Sequence, residues 1–248
     1  MYILDDGIRL NAKLDLPESG GPKYPLVIVV HGFTGHMEED HIIAVARTMN
    51  ELGFAALRVE MYGHGHSDGA FRDHTLYKWL NNMLAVMDYA RGLDFVTDIY
   101  LCGHSQGGLT VMLAAAMERD VIAGVIPLSP AAMIPECARR GELLGVCFDP
   151  ERIPEELDAW DHGKLGGNYV RVAQMIDVEA AIDRYAGPVL VIHGDEDEAV
   201  PVAYGVRGAQ AYANGKLALI PGDDHCYNRH LDQVTAAVQE WLRPFVRE

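Results

Sequence analysis

Residue types that together can cleave an acyl bond stand in this sequence at turns that follow apolar runs. Ser105 lies in Gly103-His104-Ser105-Gln106-Gly107-Gly108, a G-x-S-x-G pattern. In such a turn the serine hydroxyl stands clear of the backbone, and the N–H of the next residue, Gln106, points into the same space. Glycine is needed at 103 and 107 because side chains there would crowd the strand and helix that converge on the serine. Serine is a weak nucleophile at its own pKa, so Ser105 needs a base in contact, and that base needs an orienting acid. His225, in Gly222-Asp223-Asp224-His225, is the candidate base, while Asp195, Glu196, Asp197 and Glu198 compete for the acid.

These residues need a rigid frame, and the hydrophobic pattern describes one. Residues 24–30, 54–59, 99–102, 121–128, 187–192 and 216–220 are short, β-branched apolar runs of the kind that form strands buried on both faces. Between them, residues 38–52, 75–91, 109–117, 201–212 and 231–246 read as helices; Leu76, Trp79, Leu80, Met83, Leu84 and Met87 recur at three- and four-residue spacing. Residues 8–16 alternate apolar and polar, which predicts a half-buried antiparallel strand at a sheet edge. The rhythm breaks from 131 to 183, where prolines, glycines and charges interrupt every apolar run. That segment reads as an inserted cap of short helices and loops over the site, and residues 1–130 and 184–248 as the body.

Composition removes whole classes of partner. With 20 Lys and Arg against 36 Asp and Glu, the formal charge is −16, a surface that repels phosphate backbones and anionic lipid. Neither nucleic acid nor membrane is expected as a partner. The acidic N-terminus lacks the basic and apolar regions of a secretory signal, and the four cysteines fall in no metal-ligand or CxxC spacing, so a cytoplasmic protein with free thiols is expected. His31, His36 and His41, near Glu38, Glu39 and Asp40, do not make a metal-ligating spacing. The glycine- and histidine-rich loop 61–69 reads as a structural turn near the site. No metal and no cofactor is expected.

The order of serine, acid and histidine along the chain matches that of α/β-hydrolases. The spacing of Gly194, Asp197, Val200 and Pro201 resembles the acid turn of that superfamily and singles out Asp197, with Asp195 as fallback. His31-Gly32-Phe33-Thr34-Gly35 resembles its HG-type oxyanion loop, which makes the backbone N–H groups of Phe33 and Gln106 the natural pair of donors. The whole chain resembles the small bacterial cinnamoyl (feruloyl) esterases of this superfamily. The resemblance rests on HGFTGH at 31–36, DYA at 88–90, GHSQGG at 103–108, LSPAAMIPE at 128–136, the segment ELDAW…GNYVRVAQ, HGDEDEAVP and PGDDHCY.

The resemblance implies an α/β-hydrolase fold with a mostly parallel sheet flanked by helices and a cap. It also implies hydrolysis of esters joining a hydroxycinnamic acid to a sugar or quinic acid, through Ser105, His225 and Asp197. The family's cap aromatic falls on Trp160, which would wall the pocket, and its cap tyrosine on Tyr169, which would hydrogen-bond a ring hydroxyl. A general short-acyl carboxylesterase or thioesterase with the same triad, and a hydrolase-fold receptor that binds without turnover, are the alternatives. The expected partner is a small-molecule ester, and self-association as a homodimer is left open.

Overall fold

The computed structural model describes residues 1–18, 21–158 and 163–246. Its centre is an eight-stranded sheet. Strands β3 (Tyr24–Val30), β4 (Ala55–Val59), β5 (Val96–His104), β6 (Ile122–Leu128), β11 (Val189–Gly194) and β12 (Gly215–Ile220) run parallel in the order β4-β3-β5-β6-β11-β12. Every residue of β4 and β11 is buried, as expected of strands covered on both faces.

Residues 8–15 do form an antiparallel strand, β2 (Ile8–Asp15), but it is not the edge. It pairs with β4 on one side and with β1 (Tyr2–Asp5) on the other. The missed hairpin turns on Asp6 and Gly7, with φ of 48° and 85°. Two consecutive positive φ values give the turn whose twist matches paired strands, and Asp-Gly is a favoured sequence for it.

Helices cover both faces. One core lies between the sheet and α2 (Leu76–Arg91) and α3 (Gln106–Met117); the other lies under α1 (Asp40–Glu51) and α8 (Leu231–Leu242). Thr75 starts α2 by accepting the Lys78 N–H at 3.2 Å. All residues from Gln106 to Ala116 are buried, consistent with a helix apolar on every side.

The stretch after β6 carries α4 (Ile134–Arg140), two hairpins, β7 (Glu142–Leu143) with β8 (Val146–Cys147) and β9 (Glu156–Asp158) with β10 (Lys164–Gly166), then α5 (Gly167–Gln174) and α6 (Val178–Arg184). The boundary expected at 183 falls inside α6, which packs on α3 and on α7 (Val202–Ala211). Among the described residues, no helix is long and apolar enough to cross a membrane.

Candidate active site

Ser105 sits between β5 and α3 with φ 54° and ψ −118°, a backbone conformation that costs on the order of 1–3 kcal/mol for a residue with a side chain. The surroundings enforce it. The Ser105 N–H donates to the Leu128 carbonyl at 2.8 Å, and the Ser105 carbonyl accepts from Leu109 and Ala131 at 3.0 and 2.9 Å. A Cβ at Gly103 would stand 2.3 Å from the Gly107 carbonyl oxygen, and one at Gly107 would stand 2.3 Å from the His31 carbonyl oxygen. Those two glycines therefore let β3, β5 and α3 meet at backbone contact, as the pattern around Ser105 required.

The acid and the base lie on the loops after β11 and β12. His225 Nδ1 donates to Asp197 Oδ2 at 2.7 Å, which leaves Nε2 as the ring's basic nitrogen. The Asp197 side chain is wholly buried, and its Oδ1 accepts from the N–H groups of Ala199 and Val200 at 2.9 and 2.8 Å. Burial pushes its carboxyl upward, but hydrogen bonds from His193 and His225 outweigh that and hold it well below the usual carboxylate range. Asp195 is turned elsewhere and accepts the Gly222 N–H at 2.6 Å. Glu196 pairs with Arg229.

Two histidines given no role by sequence reasoning support this pair. His193 Nε2 lies 3.1 Å from Asp197 Oδ2 and 3.0 Å from the Val200 carbonyl, so it ties the acid to its own turn. His104 is fully buried, and desolvation drives it far below its ordinary pKa; the neutral ring then donates from Nε2 to the His225 carbonyl at 2.8 Å and lies tilted against the His225 ring, 4.6 Å between centroids. The histidine loop is anchored further by Tyr227, whose hydroxyl donates to the Ile192 carbonyl at 3.1 Å and contacts Ser129 Oγ at 2.8 Å. Buried Asp223 accepts three backbone N–H groups of the same loop at 3.0 to 3.1 Å. Each of these histidines directly precedes or opens a motif read for its neighbour, GHS and HGDED, which is the signal that was available.

The oxyanion candidates Phe33 and Gln106 directly follow Gly32 and Ser105, which approach each other closely. Gly32 passes so close that a Cβ on it would lie 3.2 Å from Ser105 Cβ. Gln106 is the first residue of α3, where the N–H has no partner within the helix. The Phe33 carbonyl is held by His64 Nε2, and its ring packs on Phe71, His74 and Tyr169 at 5.1 to 5.6 Å. The loop carrying His64 is a structural turn: Gly63, Gly65 and Gly69 have positive φ, and buried Glu60 accepts from Asn11 and from the His66 N–H at 2.9 and 2.6 Å.

Ser105 and His225 both open on a cavity of about 230 Å³, whose walls include Phe33, Met133, Ile134, Leu144 and Val200. Among the described residues the Ser105 hydroxyl makes no hydrogen bond, a common condition before substrate draws nucleophile and base together. Tyr169 is not on this wall. It is wholly buried in α5, and its hydroxyl donates to Gln106 Oε1 at 2.5 Å. Trp160 lies outside the described residues. His31, His36 and His41 go to separate environments: His31 accepts from the Met61 N–H, His36 from the Glu38 N–H, and His41 packs edge-on against His104. A larger groove of about 920 Å³ runs between α4, α6 and α7, past Glu136, Arg139 and Arg207, apart from Ser105.

Comparison with known proteins agrees with this geometry. Residues 21–147 match the family model described as serine aminopeptidase, S33. Est1E from Butyrivibrio proteoclasticus, solved with ferulic acid bound, superposes with a TM-score of 0.97, at 65% identity over 98% of each chain; a second Est1E structure gives 0.93, at 63% identity over 98% of this chain and 97% of that one. Among more distant proteins, the human mitochondrial palmitoyl-protein thioesterase ABHD10 is 26% identical over 72% of this chain, which spans 59% of that protein's length. With its parallel sheet, the match to that family model and the likeness to Est1E, the chain belongs to the serine hydrolases of the α/β-hydrolase superfamily, in one family with Est1E.

Proposed function

We propose that this protein hydrolyses esters of hydroxycinnamic acids of the ferulate type, through Ser105, His225 and Asp197 and an acyl-enzyme intermediate. The observation that carries this reading is ferulic acid bound to Est1E, a protein 65% identical over 98% of this chain. The apolar wall beside Ser105 supports it, since an aromatic acyl group needs stacking and packing surface.

In this reading Ser105 Oγ attacks the ester carbonyl while His225 Nε2 takes its proton. The N–H groups of Phe33 and Gln106 stabilise the oxygen that becomes negative, and the imidazolium, steadied by Asp197, returns its proton to the leaving alcohol. Water, deprotonated by His225, then attacks the acyl carbon and releases the free acid. Residues 131–183 act as the cap, with Met133, Ile134 and Leu144 against the acyl group. The protein works in the cytoplasm, where its four unpaired cysteines stay reduced, on a small ester and without nucleic acid or membrane, as a monomer or a homodimer.

A second reading, a general short-acyl esterase or thioesterase, draws on the 26% identity with the palmitoyl-protein thioesterase. Ethyl ferulate and 4-nitrophenyl acetate, run side by side with the native protein and Ser105→Ala, separate the readings. Preference for the ferulate ester, lost in the variant, supports the proposal. Preference for acetate favours the second reading, and ferulate binding without turnover by the native protein makes it a receptor.

A further inference from the structure

Acyl transfer dictates where the halves of a bound ester lie. The carbonyl carbon stands over Ser105, and the leaving oxygen must come within reach of His225 Nε2, since that ring protonates it. The alcohol therefore leaves on the His225 side of the cavity. The cavity that Ser105 and His225 share is lined by the apolar side chains of Phe33, Ala131, Met133, Ile134, Leu144 and Val200, and also by Thr34, Gly35, Glu39 and Cys226.

Glu39 is the one carboxylate of that lining among the described residues. It stands at the N-cap position of α1, yet its side chain accepts no capping bond there. The carboxylate instead folds back over the oxyanion loop, where Oε2 takes the His36 N–H at 3.3 Å and a Cβ at Gly35 would meet it at 2.3 Å. It forms no ion pair among the described residues, and it lies within electrostatic range of the His225 ring and the Cys226 thiol. A partly buried anion with open acceptor positions, beside the group that protonates the alcohol, selects among alcohols: it accepts hydrogen bonds from hydroxyls and repels carboxylates.

We propose that Glu39 forms the leaving-alcohol subsite and makes the enzyme favour esters of neutral polyhydroxylated alcohols, such as sugars, over esters of alcohols that carry a carboxylate. The proposal rests on the hydroxycinnamate reading for the acyl half. It concerns the other half of the ester, and the two can fail separately.

The test keeps the acyl group constant. Feruloyl-arabinose and feruloylquinate are compared by kcat/KM in the native protein, Glu39→Gln and Glu39→Lys, with thermal melting to check folding. The native protein is expected to prefer the arabinose ester. The quinate-to-arabinose ratio should rise roughly fivefold in Glu39→Gln, the size of one unit-charge repulsion across about 4 Å of water, and further in Glu39→Lys. A ratio that stays within twofold across the three proteins, with both esters turned over, overturns the role of Glu39. Failure of the native protein to cleave either ester overturns the hydroxycinnamate reading, and this inference with it.

Discussion

The two sides of the cavity are built differently. On the side of Asp197 and His225, the reacting groups are fixed by hydrogen bonds: the acid by two backbone N–H groups and His193, the base by Asp197 and His104, their loop by Asp223 and Tyr227. On the opposite side the described residues between 131 and 166 form one short helix and two antiparallel pairs of strands two or three residues long. Its ion pairs, such as Lys164 with Glu156 and Arg140 with Glu136, are exposed and worth little. The contrast teaches a division of labour: a hydrogen-bonded frame suits chemistry that is the same for every ester, and a packed, lightly held segment suits choice among acyl groups.

The strongest way to break the comparison is to remove the charge at the centre of the rigid side. Asp197→Asn keeps the shape but cannot stabilise the imidazolium, and it favours the wrong ring tautomer, so kcat should fall by about 10⁴ on ferulate and acetate esters alike. Asp195→Asn touches only the Gly222 turn and should cost less than tenfold. Reversal of that order, read by steady-state kinetics, would move the acid to Asp195.

What could be read in the sequence follows the same division. The glycines at 103 and 107 and the serine between them are dictated by backbone contacts a few residues long, so a local pattern exposes them. The buried strands were equally legible, because parallel strands covered on both faces are uninterrupted apolar runs. The hairpin at Asp6-Gly7 was missed for another reason: Tyr2–Asp5 is short and pairs through backbone groups, and only the turn announced it. His104 and His193 stayed hidden because their partners, the His225 carbonyl and the Asp197 carboxylate, arrive from distant or differently folded chain. Tyr169 was expected to hydrogen-bond the substrate's ring hydroxyl, and only coordinates could show that its hydroxyl turns to Gln106.

A buried imidazole gives the rigid side a dependence on acid. Burial pulls His41, which packs edge-on against His104, down to about 4, so it is uncharged in the folded state near neutrality. Its unfolded form binds protons below about pH 6.5, so stability is complete above that value and declines as the pH falls toward 4. His41 alone should contribute a loss of about 2 kcal/mol between pH 7 and pH 5. His41→Gln is expected to start less stable and to show a shallower decline of urea midpoint with acid. An identical slope in the two proteins would mean that His41 is not held neutral by its surroundings.

The smallest effect sharpens the border between the two sides, because Tyr169 stands on α5, in the stretch after β6, but bonds to the frame. Its hydroxyl donates to Gln106 Oε1, and its ring lies against Phe33, so it touches both residues whose N–H groups are proposed to face the oxyanion. Gln106 Nε2 is already buried without a partner among the described residues, so Tyr169→Phe would leave Oε1 unpaired as well. One unsatisfied buried acceptor costs about 1–3 kcal/mol, and part of that should appear as looser placement of the Gln106 N–H. Tyr169→Phe is therefore expected to lower kcat several-fold on ferulate, cinnamate and acetate esters, with KM nearly constant. If the loss instead fell on ferulate alone and spared cinnamate, which has no ring hydroxyl, the Tyr169 hydroxyl would have to leave Gln106 and reach the substrate phenol during turnover.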